Sequence, residues 1–211
     1  MGELNENLSL TELVNSALVG IGDAPIEDLF DDNNGKAKLC RMLVMQCIRE
    51  VQAHQSGCWD ELVDFERLTP TADYMNENVK SYNLPLNCLC VRFVKDENNM
   101  SVPYKMFGRT IKTPFHVDRI CFVRFSDNPE EWSAELKSCV IALLSAKMLA
   151  AIAKNYKASR EAVEAFWALE FPRWAGSRMN KSESAIPGHD AELSAIWGES
   201  PRTALNSPDW F

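Results

Sequence analysis

The sequence predicts an α+β protein: mainly an α-helical bundle, with a small antiparallel β insertion and an extended C-terminal arm. Three observations point there. Residues 129–156 carry apolar side chains at helical spacing, residues 59–125 shift to alternation broken by turn signals, and residues 180–211 lose periodicity altogether. The chain of 211 residues, 46% hydrophobic and 25% charged, is long enough for one ordinary domain with appendages. That domain is expected over residues 1–179, with the insertion at about 59–125 and the arm at 180–211.

The elements follow in order. Ser9 and Glu12 make a Ser-x-x-Glu capping box, and Leu10, Leu13, Val14, Ala17 and Leu18 give a short amphipathic helix that Gly20 and Gly22 stop. Residues 23–26 form a turn; Ile26 and Leu29 anchor the connection while Asp23, Glu27, Asp28, Asp31 and Asp32 face solvent. A second helix is expected over about 36–54, with Leu39, Leu43, Cys47 and Val51 on one stripe and Met42 and Ile48 beside it.

Residues 59–68 then alternate as a strand, with Val63, Phe65 and Arg67 pointing one way before Pro70 ends it. Further strands are expected at 88–94, 104–107, around Ile111 and at 120–125, with a turn at Gly108-Arg109.

The third helix is the expected spine. Asn128, Pro129 and Glu131 supply its start signal, and Leu136, Val140, Leu143 and Leu144 recur along it, widened by Cys139, Met148, Leu149 and Ile152. Over residues 129–156 its rise would be about 40 Å. Ala142, Ala146, Ala150, Ala151 and Ala153 let neighbours approach, while Ser145 and Lys147 mark the side expected to stay wet. Ser159 is expected to cap a fourth helix through Ala162, Val163, Phe166, Leu169 and Trp174, antiparallel to the third and kinked or ended by Pro172.

Composition narrows the function classes. The net charge of -8 argues against a surface that clings generally to nucleic acid, although DNA can still pass through a channel. Charge is segregated: residues 92–124 hold Arg92, Lys95, Lys105, Arg109, Lys112, Arg119 and Arg124 against Asp96, Glu97 and Asp118. Their aromatic residues Phe93, Tyr104, Phe107, Phe122 and Phe125 read mostly as the core of a small sheet rather than a nucleic-acid groove. Seven cysteines without an apolar leader segment predict free thiols in a reducing compartment, and Lys137, Lys147 and Lys154 interrupt even the most apolar helix.

No catalytic, metal or cofactor site is expected. His54 with Cys58, and Cys88 with Cys90 on one strand face, lack the partner pair of a zinc ribbon. His54, His116 and His189 have no nucleophile turn or oxyanion glycines beside them. Gly20-Ile21-Gly22 closes a helix instead of following a strand, and the acidic run 23–32 lacks calcium-loop spacing.

Leu13-Val14-Asn15-Ser16-Ala17-Leu18, then Ile21-Gly22-Asp23-Ala24-Pro25-Ile26, then 37–51 and Trp59, resemble the start of the tail tubular protein A family of short-tailed bacteriophages. Leu84-Pro85-x-x-Cys88-Leu89-x-Val91, the turn Tyr104-Lys105-Met106-Phe107-Gly108-Arg109-Thr110-Ile111, and Trp132-Ser133 before the Ala-rich helix are similar to it too. The resemblance covers residues 8 to about 179 and rests on packing and turn motifs.

It implies a structural virion protein, a head-to-tail adaptor: a ring of twelve copies between portal protein and tail nozzle protein, with DNA passing through the lumen without specific binding. Localisation in the virion tail after assembly in the host cytoplasm follows, without membrane contact. Independently, the arm's Ile196, Trp197, Trp210 and Phe211 are expected to bind a partner. Asp23, Glu27, Asp28, Asp31 and Asp32 are expected to meet Lys105, Arg109 and Lys112 between subunits. The competing reading is an intracellular protein-binding module, of host-takeover or scaffold type, that uses the same aromatic arm.

Overall fold

The computed structural model describes residues 9–54, 59–71 and 79–175. They form an α+β protein with four α-helices and six strands in two antiparallel sheets. They fall into two compact units: one from the described residues up to Leu62 and from Phe125 to Ala175, the other from those between Val63 and Arg124. The arm expected over 180–211 lies outside the described residues.

In the first unit, helix α1 spans Leu10–Gly20 and opens on both halves of the expected capping box: Ser9 Oγ accepts from Glu12 N at 3.2 Å, and Ser9 N donates to Glu12 Oε2 at 2.7 Å. Gly22, at φ 78, turns the chain out of the helix in a backbone region that a side chain would strain. The Asn15 side chain then holds the next segment in place by donating to Ile26 O at 2.9 Å and accepting from Ile26 N at 2.8 Å. Ile26 and Leu29 are buried as expected.

Helix α2 spans Gly35–Ala53, with Asn34 Oδ1 capping Lys36 N and Ala37 N. Its buried stripe is Ala37, Cys40, Val44, Cys47, Ile48 and Val51, with Gln52. The expected stripe is thus rotated: Leu39 and Leu43 are half-buried and Met42 is 71% exposed. Small residues at 37 and 40 let the backbone come close, which brings that side of the helix inward. Fully buried Gln52 is satisfied by one backbone residue, donating to Ser126 O at 2.8 Å and accepting from Ser126 N at 3.1 Å.

The single long spine is not formed. Asn128 caps a 3₁₀ turn at Pro129–Glu131, Trp132 is extended, and Ser133 caps a fresh helix α3, Ala134–Ala151. Glu131 does not close a capping box; its carboxylate accepts from Ser126 Oγ at 2.8 Å. Eighteen residues give α3 a rise of about 27 Å, not 40. Helices α1 and α2 both pack on it, and so does α4, Tyr156–Ala165. The side expected to stay wet is occupied: Ser145 Oγ donates to Ala17 O at 3.4 Å, and Lys147 Nζ meets Glu50 Oε2 at 2.6 Å.

Lys154, at φ 56, turns the chain between α3 and α4. Asn155, not Ser159, caps α4; Ser159 sits buried inside the helix. The helix widens into a π-turn at Phe166–Glu170, where Phe171 N donates to Phe166 O, and Pro172 does not end it, since residues 171–175 stay helical.

In the second unit the sheets run β1-β6-β3 and β2-β5-β4, with β1 Val63–Arg67, β2 Lys80–Asn83, β3 Cys88–Lys95, β4 Lys105–Phe107, β5 Thr110–Thr113 and β6 Arg119–Arg124. Strand β1 is shorter than expected because Asp60–Leu62 form a 3₁₀ turn, with Trp59 buried and its Nε1 donating to Val51 O at 2.9 Å. Strand β2, Lys-Ser-Tyr-Asn, lacks alternation and is a strand through its pairing with β5.

The core of this unit gathers Tyr82, Val94, Ile111, Val117, Ile120 and Phe122. Tyr82 keeps its hydroxyl satisfied inside it by accepting from Val117 N at 3.0 Å. Of the aromatics expected in this core, Phe122 lies in it and Tyr104 packs against it, while Phe107 is exposed and Phe93 half-buried.

Gln52→Leu removes both partners of Ser126's backbone groups, each of which costs about 1–3 kcal/mol when left buried and unpaired. Urea unfolding should therefore register a loss of roughly 2 kcal/mol or more, whereas Met42→Ala, on the solvent side, should change stability by less than about 0.5 kcal/mol.

Candidate interaction surfaces

The described residues hold no group of three His, Cys, Asp or Glu side chains placed to bind a metal ion. Cys58 falls outside them, and a bulge between Cys88 and Cys90 breaks the simple alternation that would put both thiols on one face. Burial pushes the Cys47 thiol up to about 12 and those of Cys88 and Cys121 up to about 11, which keeps these three protonated. His54 belongs to an aromatic cluster, stacked on Trp167 at 5.0 Å and tilted against Phe171 at 4.4 Å. The π-turn sets Trp167 and Phe171 beside the same imidazole, and Trp59 closes the cluster edge-on to Phe171 at 6.3 Å.

The acidic turn is built by its own side chains. Asp28 Oδ1 accepts from Phe30 N at 2.9 Å and Asp31 Oδ1 from Asn33 N at 2.8 Å, so both carboxylates shape the loop. Asp23 pairs with Lys36 at 2.9 Å, and that hydrogen bond, then the one from Ala24 N, holds its carboxyl below the usual range. Asp32 pairs with Arg41 at 2.8 Å. Glu27, Asp28 and Asp31 therefore carry the residual negative charge, along an open groove of about 510 Å³ that Ile26, Asn34 and Lys36 also line.

Comparison of the chain with protein families finds no family model that matches it, and comparison with curated proteins finds no significant match.

Three basic residues of the insertion, Lys105, Arg109 and Lys112, lie on the β4–β5 hairpin. Lys105 and Lys112 stand directly opposite each other in register, and Arg109 follows the Gly108 turn, where its Nη2 donates to Pro85 O. Opposed like charges cost a hairpin stability, and on an edge strand they also deter pairing with stray chains. Lys112 Nζ sits 5.1 Å from the centroid of exposed Phe107, so the hairpin presents cations beside apolar surface. Ile196, Trp197, Trp210 and Phe211 lie outside the described residues.

A third surface is the face of the first sheet that bears Phe65, Phe93, Lys95 and Arg119, where the half-buried Phe93 departs from the sheet-core placement the sequence favoured. Alternation assigned Phe65 and Arg67 to one side of a strand; what it lacked was the register that sets Phe93 and Lys95 beside them.

His54 gives the first unit a pH dependence of known sign. Burial lowers its pKa from the usual value of about 6.5, so the unfolded chain takes up a proton more readily than the folded one. The stability this neutral imidazole contributes is complete above that value and is lost as pH falls through the lower folded pKa. Melting curves of wild type and His54→Gln between about pH 8 and 5 should differ in slope, with the acid-side decline shallower in the variant.

Proposed function

We propose that the chain is the subunit of a head-to-tail adaptor, a helical bundle with a β-rich insertion and an extended C-terminal arm. Twelve copies form a ring between portal and tail nozzle of a short-tailed bacteriophage virion, and DNA passes through the lumen. The protein is structural and not an enzyme. One observation carries the reading: among the described residues α1 and α2, then a strand unit, then α3 and α4 follow in the order that the resemblance to the tail tubular protein A family implies.

Segregated charge supports it as well. Closure of a ring needs unlike surfaces on each copy. Lys105, Arg109 and Lys112 supply one, and Glu27, Asp28 and Asp31 the other, with Asp23 and Asp32 contributing less because Lys36 and Arg41 already hold them. Charged rims of this kind set encounter rate and register more than affinity.

The defining experiment is imaging of the purified chain alone and mixed with its portal, where a ring seated on the portal is expected. A chain that stayed monomeric beside the portal would be the intracellular binding module instead. Assembly followed by light scattering should slow as salt rises from about 50 mM to 500 mM, over which the Debye length contracts severalfold. An identical rate at both ends would mean that charge does not pair these faces.

Deleting Trp210 and Phe211 should leave the melting temperature unchanged while weakening docking on the portal, by about 2 kcal/mol or more if either ring fills a pocket. A core that melted earlier without these residues would assign them to the fold.

A further inference from the structure

Strands β1, β6 and β3 set two rows of side chains in register: Phe65, Cys121 and Phe93 in one, Arg67, Arg119 and Lys95 in the next. Ile120, Phe122 and Val94 point into the core, so by alternation these two rows occupy the opposite face. The small Cys121 between the rings lets them lean together, with centroids 6.2 Å apart and planes inclined at 56°. Phe65 is 48% exposed. Both rings, Lys95, Asn99 and Arg119 line an open depression of about 270 Å³.

The cation row costs the fold, because like charges directly across neighbouring strands repel. Asp118 offsets Arg67 only from 3.6 Å at an exposed position. Arg119 Nη2 donates to Asn99 Oδ1 at 2.9 Å, which orients the guanidinium without neutralising it. Lys95 is 5% exposed, with Nζ 5.1 Å from the Phe93 ring centroid. Two aromatic rings thus adjoin a row of cations, of which Lys95 and Arg119 line the same depression.

We propose that this face binds single-stranded nucleic acid, a base stacking on Phe65 and Phe93 while adjoining phosphates meet the exposed Arg119 and Arg67, with buried Lys95 adding its charge from beneath. Strand spacing makes the cation row about 10 Å long and sets it roughly 7 Å from the rings, within the reach of a base from its own phosphates. The apolar floor needs a ring to cover it, which a free phosphate lacks, and a duplex keeps its ring faces stacked inside. Every base offers a π-face, so the site is tolerant of sequence. An acidic aromatic peptide shares part of this chemistry, but the chain's own residues 197–211 carry Glu199 and Asp209 against Arg202, too sparse a charge for a row of three cations. The inference stands apart from the adaptor reading, since it needs no ring and no portal.

The test is fluorescence anisotropy of a labelled deoxythymidine oligomer of about ten nucleotides with the full chain, over a series of salt concentrations. Binding that weakens with salt is expected. Phe65→Ala should weaken it roughly tenfold while Phe65→Trp preserves it, and Arg119→Gln should flatten the slope of log affinity against log salt by about 0.7. No binding at low salt, equal affinity for a duplex of the same length, tighter binding of a peptide of residues 197–211, or wild-type affinity in Phe65→Ala would each overturn the proposal. Should Phe65→Ala fail to fold, the salt slope of Arg119→Gln, whose side chain is exposed, decides the matter.

Discussion

Helix α3 is apolar around most of its circumference, and the first unit is built on that constraint: Leu136, Cys139, Val140, Leu143, Leu144, Ala146 and Met148 are all buried, on no single stripe. A helix so apolar must be covered from several directions. Helices α1, α2 and α4 supply the cover, and their small or short residues set how closely they come. Ser145 and Lys147 are polar positions on this helix, yet each is used to fasten it, one to the α1 backbone at Ala17 and the other to Glu50 on α2. The Lys147–Glu50 pair is half-buried, so it contributes direction to the α2–α3 packing more than net energy.

Polar groups inside this unit are placed to join segments distant in sequence. Gln52 ties the end of α2 to Ser126, and Asn15 ties α1 to the turn at Ile26; each amide satisfies a backbone donor and acceptor together. Such paired bonds stabilise modestly while made and cost more when one side is lost. They select one connection path where apolar packing alone would tolerate several.

The strand unit solves a different problem. Two three-stranded sheets enclose one small core, which leaves the outer face of the first sheet without a layer of the same unit described over it. On that face the neutral Cys121 thiol and its flanking rings form an apolar floor, and the next row is cationic. The hairpin β4–β5 likewise combines Lys105 and Lys112 with the exposed Met106 and Phe107. Apolar surface beside clustered positive charge suits contact with an anionic partner.

The sequence by itself determined whatever rests on neighbours in the chain. The capping box at Ser9 and Glu12, the stop at Gly22, the Gly108 turn, the β-rich character of the middle segment and the helical character of the described segments on either side of it are settled by local hydrogen bonds and side-chain period. Tertiary structure decided which of several equivalent local signals prevailed. Both Asn128 and Ser133 can cap a helix, and the extended, buried Trp132 between them ended one turn and began another. Leu39 with Leu43 and Ala37 with Cys40 are both helical stripes on α2, and the side admitting closer approach went inward. Strand β2 exists through β5, and Phe65 meets Phe93 through β6. The acidic and basic candidate surfaces were legible because charge can be counted along a chain. The sheet face was not, because register pairs its residues across 24 to 56 positions of sequence and carries no local mark.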